Sequence, residues 1–481
     1  MATSEVNEKS DKYVEMSETW NLPIALMGGT TAMRLSTITY LPQEPAEEDD
    51  SYTDRLNKSV LFNAFKRTLT NLTGKVFAKP LVVEGAPSIQ EEWMENIDLA
   101  GNGLPVWARE VFLKGLELGV THCLVDVPRA KEGLNKAEEI ALNIRPYFIH
   151  VKPEDVIGWR SEIINGVPTL TLVRIKETTT IADETFGEIV VNRIRVLLPG
   201  AFIVYEENPD SNEWSVVEEG ETSIDYIPLV TFYTNKVGFM MGTPALEDLA
   251  WLNVQHWQSS SDQRHILHIA RVPLLVGMGL DTEDEKDVVI GPNRLIKIGA
   301  DSKIAYVEHS GDAIKSGVDD LSAIEERMRI MGLELLMPRT GDQTATAKAL
   351  DYSEANSSLQ VMAINFGDFL ENCFNVAADY VKISKETMGS IKVNTEFGLS
   401  VLQSVELPEL LKMRMAGEIS RESYWHELKR RSVLSEEFDP EIEKVRLEHE
   451  VLENALGPND EEDESLDPND EEEPVIGVEE E

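Results

Sequence analysis

Two long stretches of helical spacing, interrupted by a single proline, constrain this chain more than any other feature. Across 313–337, Val318, Leu321, Ile324, Met328, Met331 and Leu335 recur three or four residues apart. Glu325, Glu326, Arg327 and Arg329 fall between them. Pro338 lacks an amide hydrogen and disfavours the helical conformation at Met337, so this helix is expected to end there. Gly341 permits a tight turn in the polar loop that follows. From Ala345 the helix formers Ala347, Lys348, Ala349 and Leu350 start a second helix, expected to reach Val381. Its middle is small and polar. Leu359, Met362, Phe366, Phe369, Leu370 and Phe374 then restore an apolar stripe. At 1.5 Å per residue the second helix would be about 55 Å long. An ordinary helical hairpin is one reading; an element that lines or crosses something large is the other.

Upstream, the pattern divides into blocks. Residues 1–50 are polar and acidic around a short apolar patch at 22–27, which reads as a partly ordered arm. One helix is expected over 51–78, with Ser51 and Asp54 as candidate caps and Lys79-Pro80 as its stop. Another is expected over 104–118, closed by Gly119, followed by a buried strand over 120–127. Residues 147–235 alternate in the manner of strands, expected at 147–151, 156–160, 169–175, 188–198, 202–205 and 227–232. Asn165-Gly166 offers a hairpin turn. Helix returns over 244–270, although Gln258, Ser259, Ser260, Ser261 and Asp262 form it poorly. A small β-rich insert is expected over 271–310, and two or three helical pieces over 407–455, broken near Gly417 and Asp439-Pro440. The fold class is therefore α+β.

Charge narrows the function. The 481 residues include 87 acidic against 44 basic, a formal net charge of −43. Residues 453–481 hold 14 acidic and no basic residues, which leaves −29 on the rest. Such a chain does not hold nucleic acid tightly by neutralising phosphates, but it could still surround a duplex loosely. The proline-broken tail repeats Pro458-Asn459-Asp460-Glu461-Glu462 as Pro468-Asn469-Asp470-Glu471-Glu472 and is expected to be disordered. Cys123 and Cys373 sit in apolar stretches and read as core residues, consistent with a reducing compartment. With no basic-then-apolar leader pattern in 1–20 and no run of 18 apolar residues, a soluble, non-membrane protein is expected.

A search for chemistry finds no catalytic motif. Thr73-Gly74-Lys75 resembles the end of a phosphate loop. It lacks a hydroxyl residue after the lysine, and Leu69 stands where the first glycine belongs. Gly28-Gly29 is a turn. His265 and His268 are three apart on a helix and could share a metal, but no cysteine or acidic cluster completes a ligand set, which favours a structural role. Catalytic residues, metal and cofactor are all expected to be none.

Several short motifs occur in a particular order: Tyr52 with Arg55-Leu56, Phe62-Asn63-Ala64, Lys79-Pro80, and Asn96-Ile97-Asp98-Leu99-Ala100-Gly101. Arg145-Pro146-Tyr147 follows, then Pro153-Glu154-Asp155-Val156-Ile157 with Trp159, Met331-Gly332, Thr344-Ala345-Thr346-Ala347, Glu354 and Ser358-Leu359. Over about residues 50–385 this order resembles the portal proteins of tailed bacteriophages. The resemblance does not extend to the arm, the acidic tail or most of 386–455.

The resemblance implies a ring of twelve subunits at one capsid vertex of a virion, assembled in the host bacterial cytoplasm, with a channel through which double-stranded DNA is packaged and ejected. It implies an N-terminal arm (1–50), a mixed α/β wing (51–242), stem helices (243–270 and 313–337) and a β-rich clip (271–312). A channel loop (338–344), a long wing helix (345–385), wing and crown helices (386–455) and a disordered acidic tail (456–481) complete it. Implied partners are further copies of the chain, the DNA, the terminase large subunit, a head–tail connector or adaptor, and the major capsid or scaffolding protein. Pro338, Arg339, Thr340, Gly341, Asp342, Gln343, Thr344 and Lys348 would face the DNA. Arg339 and Lys348 either touch phosphates or are solvated loop and helix-end charges. Asp281, Thr282, Glu283, Asp284 and Glu285 would form a docking face on the clip, or simply a solvated hairpin tip. Another virion-assembly or connector ring protein is the alternative. A scaffold would not need the β-rich stretches, connectors are usually shorter, and a nucleotide-driven motor would need a phosphate loop.

Overall fold

The computed structural model describes residues 6–129, 138, 142–183, 186–209, 211–271, 274–278, 303–307, 311–333, 345–395, 400–430, 433–435 and 438–456. The chain divides into two compact units, Met1–Phe397 and Gly398–Glu481. Among the described residues no helix is long and apolar enough to cross a membrane.

The first unit begins with α1 (Asp11–Met27), which corrects the expectation of a partly ordered arm. Ser10 caps it by accepting the Tyr13 amide at 3.3 Å. Tyr13, Met16 and Trp20 recur at helical spacing and are buried, as are Leu22, Ala25 and Leu26. Helix α2 (Gly29–Leu35) follows. The single helix expected over 51–78 is in fact two, α3 (Asp49–Lys58) and α4 (Ala64–Val76). The break has a local cause. Ser59 is extended, and Asn63 starts a new helix by accepting the Lys66 amide at 2.9 Å while donating to the Leu26 carbonyl at 2.6 Å. The phosphate-loop lookalike at Thr73–Lys75 lies inside α4.

Strand β1 (Val82–Glu84) and helices α5 (Ser88–Glu95) and α6 (Leu104–Leu118) come next. Helix α6 ends at Gly119, whose φ of 86° is the left-handed conformation glycine tolerates. An added Cβ there would overlap the Thr243 carbonyl. Strand β2 (Val120–Asp126) is the buried centre of a three-stranded antiparallel sheet, flanked by β3 (Tyr147–Val151) and, later in sequence, by 229–233.

A five-stranded antiparallel meander follows: β4 (Val156–Ile164), β5 (Val167–Asp183), β6 (Gly187–Leu198), β7 (Ala201–Glu207) and β8 (Trp214–Glu221). Asn165 and Gly166, with φ of 52° and 82°, make the expected tight turn between β4 and β5. The sheet is strongly staggered: β4 pairs with β5 only from Val167 to Ile175, and β6 pairs with it from Val173 to Asp183. Strand β8 was not foreseen, because the alternation dissolves into Glu218, Glu219, Gly220 and Glu221 on a sheet edge. Strands β9 (Leu229–Tyr233), β10 (Lys236–Gly238) and β11 (Met241–Gly242) close this region.

Helix α7 (Glu247–Ala270) leads to β12 (Leu274–Met278) and β13 (Lys303–Val307), which pair antiparallel, and then to α8 (Asp312–Met328). A π-helical turn, Arg329–Leu333, extends α8. Helix α9 (Ala345–Val381) has the length read from the sequence, and β14 (Ser390–Lys392) pairs with β1.

One core joins α1, α4, α6, β2 and α9, and a network of rings from α6, β3, 229–233 and α9 lies within it. Phe366 lies 4.9 Å from Phe232 and 5.2 Å from Phe112, and Phe374 lies 5.0 Å from Phe148. Cys123 and Cys373 are free thiols in this core, side by side. A second core packs α1 against the meander through Trp20, Trp159, Val173, Ile194 and Trp214.

The second unit contains α10 (Ser400–Met415), α11 (Arg421–Arg430) and α12 (Pro440–Leu456). Its breaks fall where the sequence placed them. Gly417 adopts a φ of 77°, and Asp439 accepts the Glu441 amide at 2.8 Å.

Candidate functional site

Helices α7 and α8 lie antiparallel, as their contacts demand. Gln263 donates to the Ile314 carbonyl at 2.9 Å, and His256 meets Glu325 at 3.2 Å, so rising numbers on one helix meet falling numbers on the other. Gly317 allows the close approach, since any Cβ there would overlap the Gln263 amide. The weak helix formers in the middle of α7 stay helical because they have partners elsewhere. Gln258 donates to the Tyr40 carbonyl at 3.1 Å, Ser261 bonds Ser59 at 2.8 Å, and Asp262 reaches Arg55 at 3.4 Å.

Asn253, wholly buried, pins α7 to the start of α4. Its carbonyl accepts the Phe65 amide at 3.0 Å and its amide donates to the Phe62 carbonyl at 2.8 Å. With Trp257 buried beneath it, this fixes α7 on the main core. Helix α8 is held by a narrower stripe, Ile324 and Met328, and otherwise faces outward.

That outward face is mixed. Asp319, Asp320, Glu325 and Glu326 are exposed along α8. Beside them are large apolar side chains about half exposed: Trp251 is 55% exposed, Val318 48%, Ile330 46% and Met331 40%. Trp251, Ile330 and Met331 line one cleft of about 420 Å³ with Asp248, Leu252, Gln255 and Arg327. An exposed tryptophan beside two further large apolar side chains is the kind of surface a partner covers.

Most of the residues singled out from sequence lie beyond what the structure describes. Pro338, Arg339, Thr340, Gly341, Asp342, Gln343 and Thr344 lie outside the described residues, as do Asp281, Thr282, Glu283, Asp284 and Glu285. Lys348 is on the first turn of α9, with its side chain outside what is described. The acidic tail beyond Leu456 is likewise outside. His265 and His268 are exposed on α7, and no group of three metal-ligating side chains forms among the described residues.

Sequence reasoning missed what surrounds those histidines. Arg264, His268 and Arg271 recur at helical spacing and share a concavity with Arg55 and Lys58 of α3. The spacing was visible in the sequence; the approach of α3 was not. Also missed were two histidines of the three-stranded sheet, His122 buried and His150 half-buried. His122 bonds Thr231 at 3.0 Å through Nδ1, and His150 bonds Thr121 at 2.9 Å through Nε2. Burial first, then the neighbouring His150, pushes His122 down to about 3. Burial first, then Lys114 and Lys152, pushes His150 down to about 4. Both rings are therefore neutral at pH 7.

A family described only as a domain of unknown function, DUF4055, matches residues 245–381. That stretch runs from the start of α7 to the end of α9 and is less than a third of the chain. No curated protein matches. Among solved structures, the chain is similar to one from the neck of an empty gene transfer agent particle computed with C6 symmetry (11% identity, 74% of this chain and 86% of that one, TM-score 0.41). It is also similar to one from the neck of the native particle computed with C12 symmetry (11%, 83% and 99%, 0.41) and to one from the virion of the native particle (11%, 81% and 96%, 0.41).

Proposed function

We propose that this chain is a portal subunit: twelve copies form a ring at one capsid vertex, double-stranded DNA passes through the bore, and the insert between α7 and α8 docks the terminase and later the tail connector. The ordered motifs over about 50–385 support this, and so does the order of two helices flanking the β12–β13 pair and followed by a 37-residue helix. The observation that carries it is the open face of α7 and α8. A helix pair anchored on one side, with Trp251, Val318, Ile330 and Met331 uncovered on the other, suits a heterologous contact repeated around a closed ring.

The charge agrees with such a role. A wall that neutralised phosphates would grip DNA and resist its movement, since each contact adds binding free energy. An acidic wall keeps the duplex near the axis, with its field screened over about 8–10 Å at ordinary salt. In this reading Arg339 and Lys348 make local phosphate contacts, Thr340, Gln343 and Thr344 offer neutral hydrogen bonds, and 281–285 present the docking face. No catalytic step is assigned to the chain.

Electron microscopy and native mass measurement of the purified protein test the reading. A ring with an axial hole wide enough for B-form DNA is expected. Covering Trp251 would contribute about 1.5–3 kcal/mol per contact, so Trp251→Glu is expected to shift the population to small oligomers or monomer with the fold intact. A wild-type chain that stays monomeric under all conditions, or that forms a solid particle, overturns it.

A further inference from the structure

The concavity between α3 and α7 runs against the character of the whole chain. It encloses about 620 Å³, a volume that accommodates a small ligand. The chain carries 87 acidic and 44 basic residues, so a typical stretch of surface has about two acids per base. Here Arg55, Lys58, Arg264 and Arg271 line the walls, with His265 and His268, against the single carboxylate of Asp54.

The local pairings do not account for this excess. Arg55 is taken up by Glu47, which it holds through two 2.7 Å hydrogen bonds, and by Asp262 at 3.4 Å. Lys58 meets Asp54 at 2.9 Å, but both are well exposed, and such a pair contributes little. Arg264 and Arg271 have no ion-pair partner among the described residues. The last turn of α7 favours cations, because its free carbonyls carry about half a negative charge. Half a charge balances part of Arg271. It leaves Arg264, a full turn and more upstream, uncompensated.

We propose that this concavity binds a phosphate group. Donors reach it from two helices: guanidinium groups from α7, the Lys58 ammonium and the Ser51 hydroxyl from α3. Convergence from several directions suits a tetrahedral dianion, whereas a planar carboxylate is satisfied by one guanidinium fork. The rest of the chain repels extended polyanions, and that field fades within about 8–10 Å at ordinary salt. A compact anion is thus admitted more readily than a long one. The inference stands apart from the ring reading and survives or fails without it.

The test is a ³¹P NMR titration of the full chain with pyrophosphate at low salt. Binding that broadens the signal and weakens as salt rises is expected. Arg264→Gln/Arg271→Gln is expected to weaken it at least tenfold, while the charge-matched Lys392→Gln/Lys412→Gln, on exposed residues elsewhere, leaves it unchanged. Competition identifies the source: a 20-base-pair duplex that displaces pyrophosphate points to a nucleic-acid backbone, and a duplex that does not, beside pyrophosphate that binds, points to a small phosphorylated ligand. Absence of broadening, binding that persists in the Arg264→Gln/Arg271→Gln chain, or equal displacement by a glutamate-rich peptide overturns the proposal.

Discussion

The neutral histidines of the three-stranded sheet make the stability of this protein depend on pH in a calculable way. His122 and His150 hold folded-state values of about 3 and about 4, against an ordinary value of 6.5. A base whose value is lowered by folding favours the folded state only while both states are neutral. That contribution is whole above pH 6.5. It declines as the unfolded chain takes up protons that the folded chain refuses, by about 1.4 kcal/mol per pH unit for each ring. At pH 5 each ring has lost about 2 kcal/mol, and the two together about 4. Burial raises the carboxyls of Glu117 and Asp155, which act in the opposite direction at acid pH. The clean measurement is therefore a difference between two chains. His122→Asn/His150→Gln replaces each bonded ring nitrogen by an amide that does not titrate. Urea unfolding, followed by tryptophan fluorescence between pH 8 and 5, is expected to show the parent losing about 4 kcal/mol more than this variant. Parallel curves for the two chains would refute the reasoning.

Two further substitutions probe the anchoring of the helix pair. Asn253→Ala leaves the Phe65 amide buried without its partner and takes from the Phe62 carbonyl one of its two hydrogen bonds, the other being to the Ala64 amide, at about 1–3 kcal/mol; an unchanged urea midpoint would count against that role. Gly119→Ala forces a side chain into a left-handed backbone and onto the Thr243 carbonyl. It is expected to cost about 2 kcal/mol or more, and a soluble chain with the parent melting temperature would contradict it.

The helices easiest to read were those whose stripe faces a single core. Helix α9 was legible end to end, because Leu359, Phe366, Phe369, Leu370 and Phe374 all enter the main core. Helix α6 was legible because Gly119 marks its stop. The α3–α4 break was not, because hydrophobic spacing continues through it and only the bonds of Asn63 to Lys66 and Leu26 decide it. Helix α1 was passed over because its buried residues sit among Glu15, Glu18 and other charges, and Pro23 argues against a helix. The candidate site was legible as a pair of helices flanking an insert. Its antiparallel register depends on Gln263, Gly317 and His256, whose partners lie about fifty to seventy residues away. Local pattern does not reach that far.

Strand β5 spans about 58 Å at 3.4 Å per residue, yet only Val173, Arg174 and Ile175 have neighbours on both sides. Each half is zipped to a different hairpin partner. Fraying that starts at Val167 has to cross this three-residue knot before it loosens the ladder to β6, and fraying from Asp183 meets the same barrier from the far side. One continuous strand thus behaves as two separately melting segments, with its most persistent backbone protons at the middle and not at either turn.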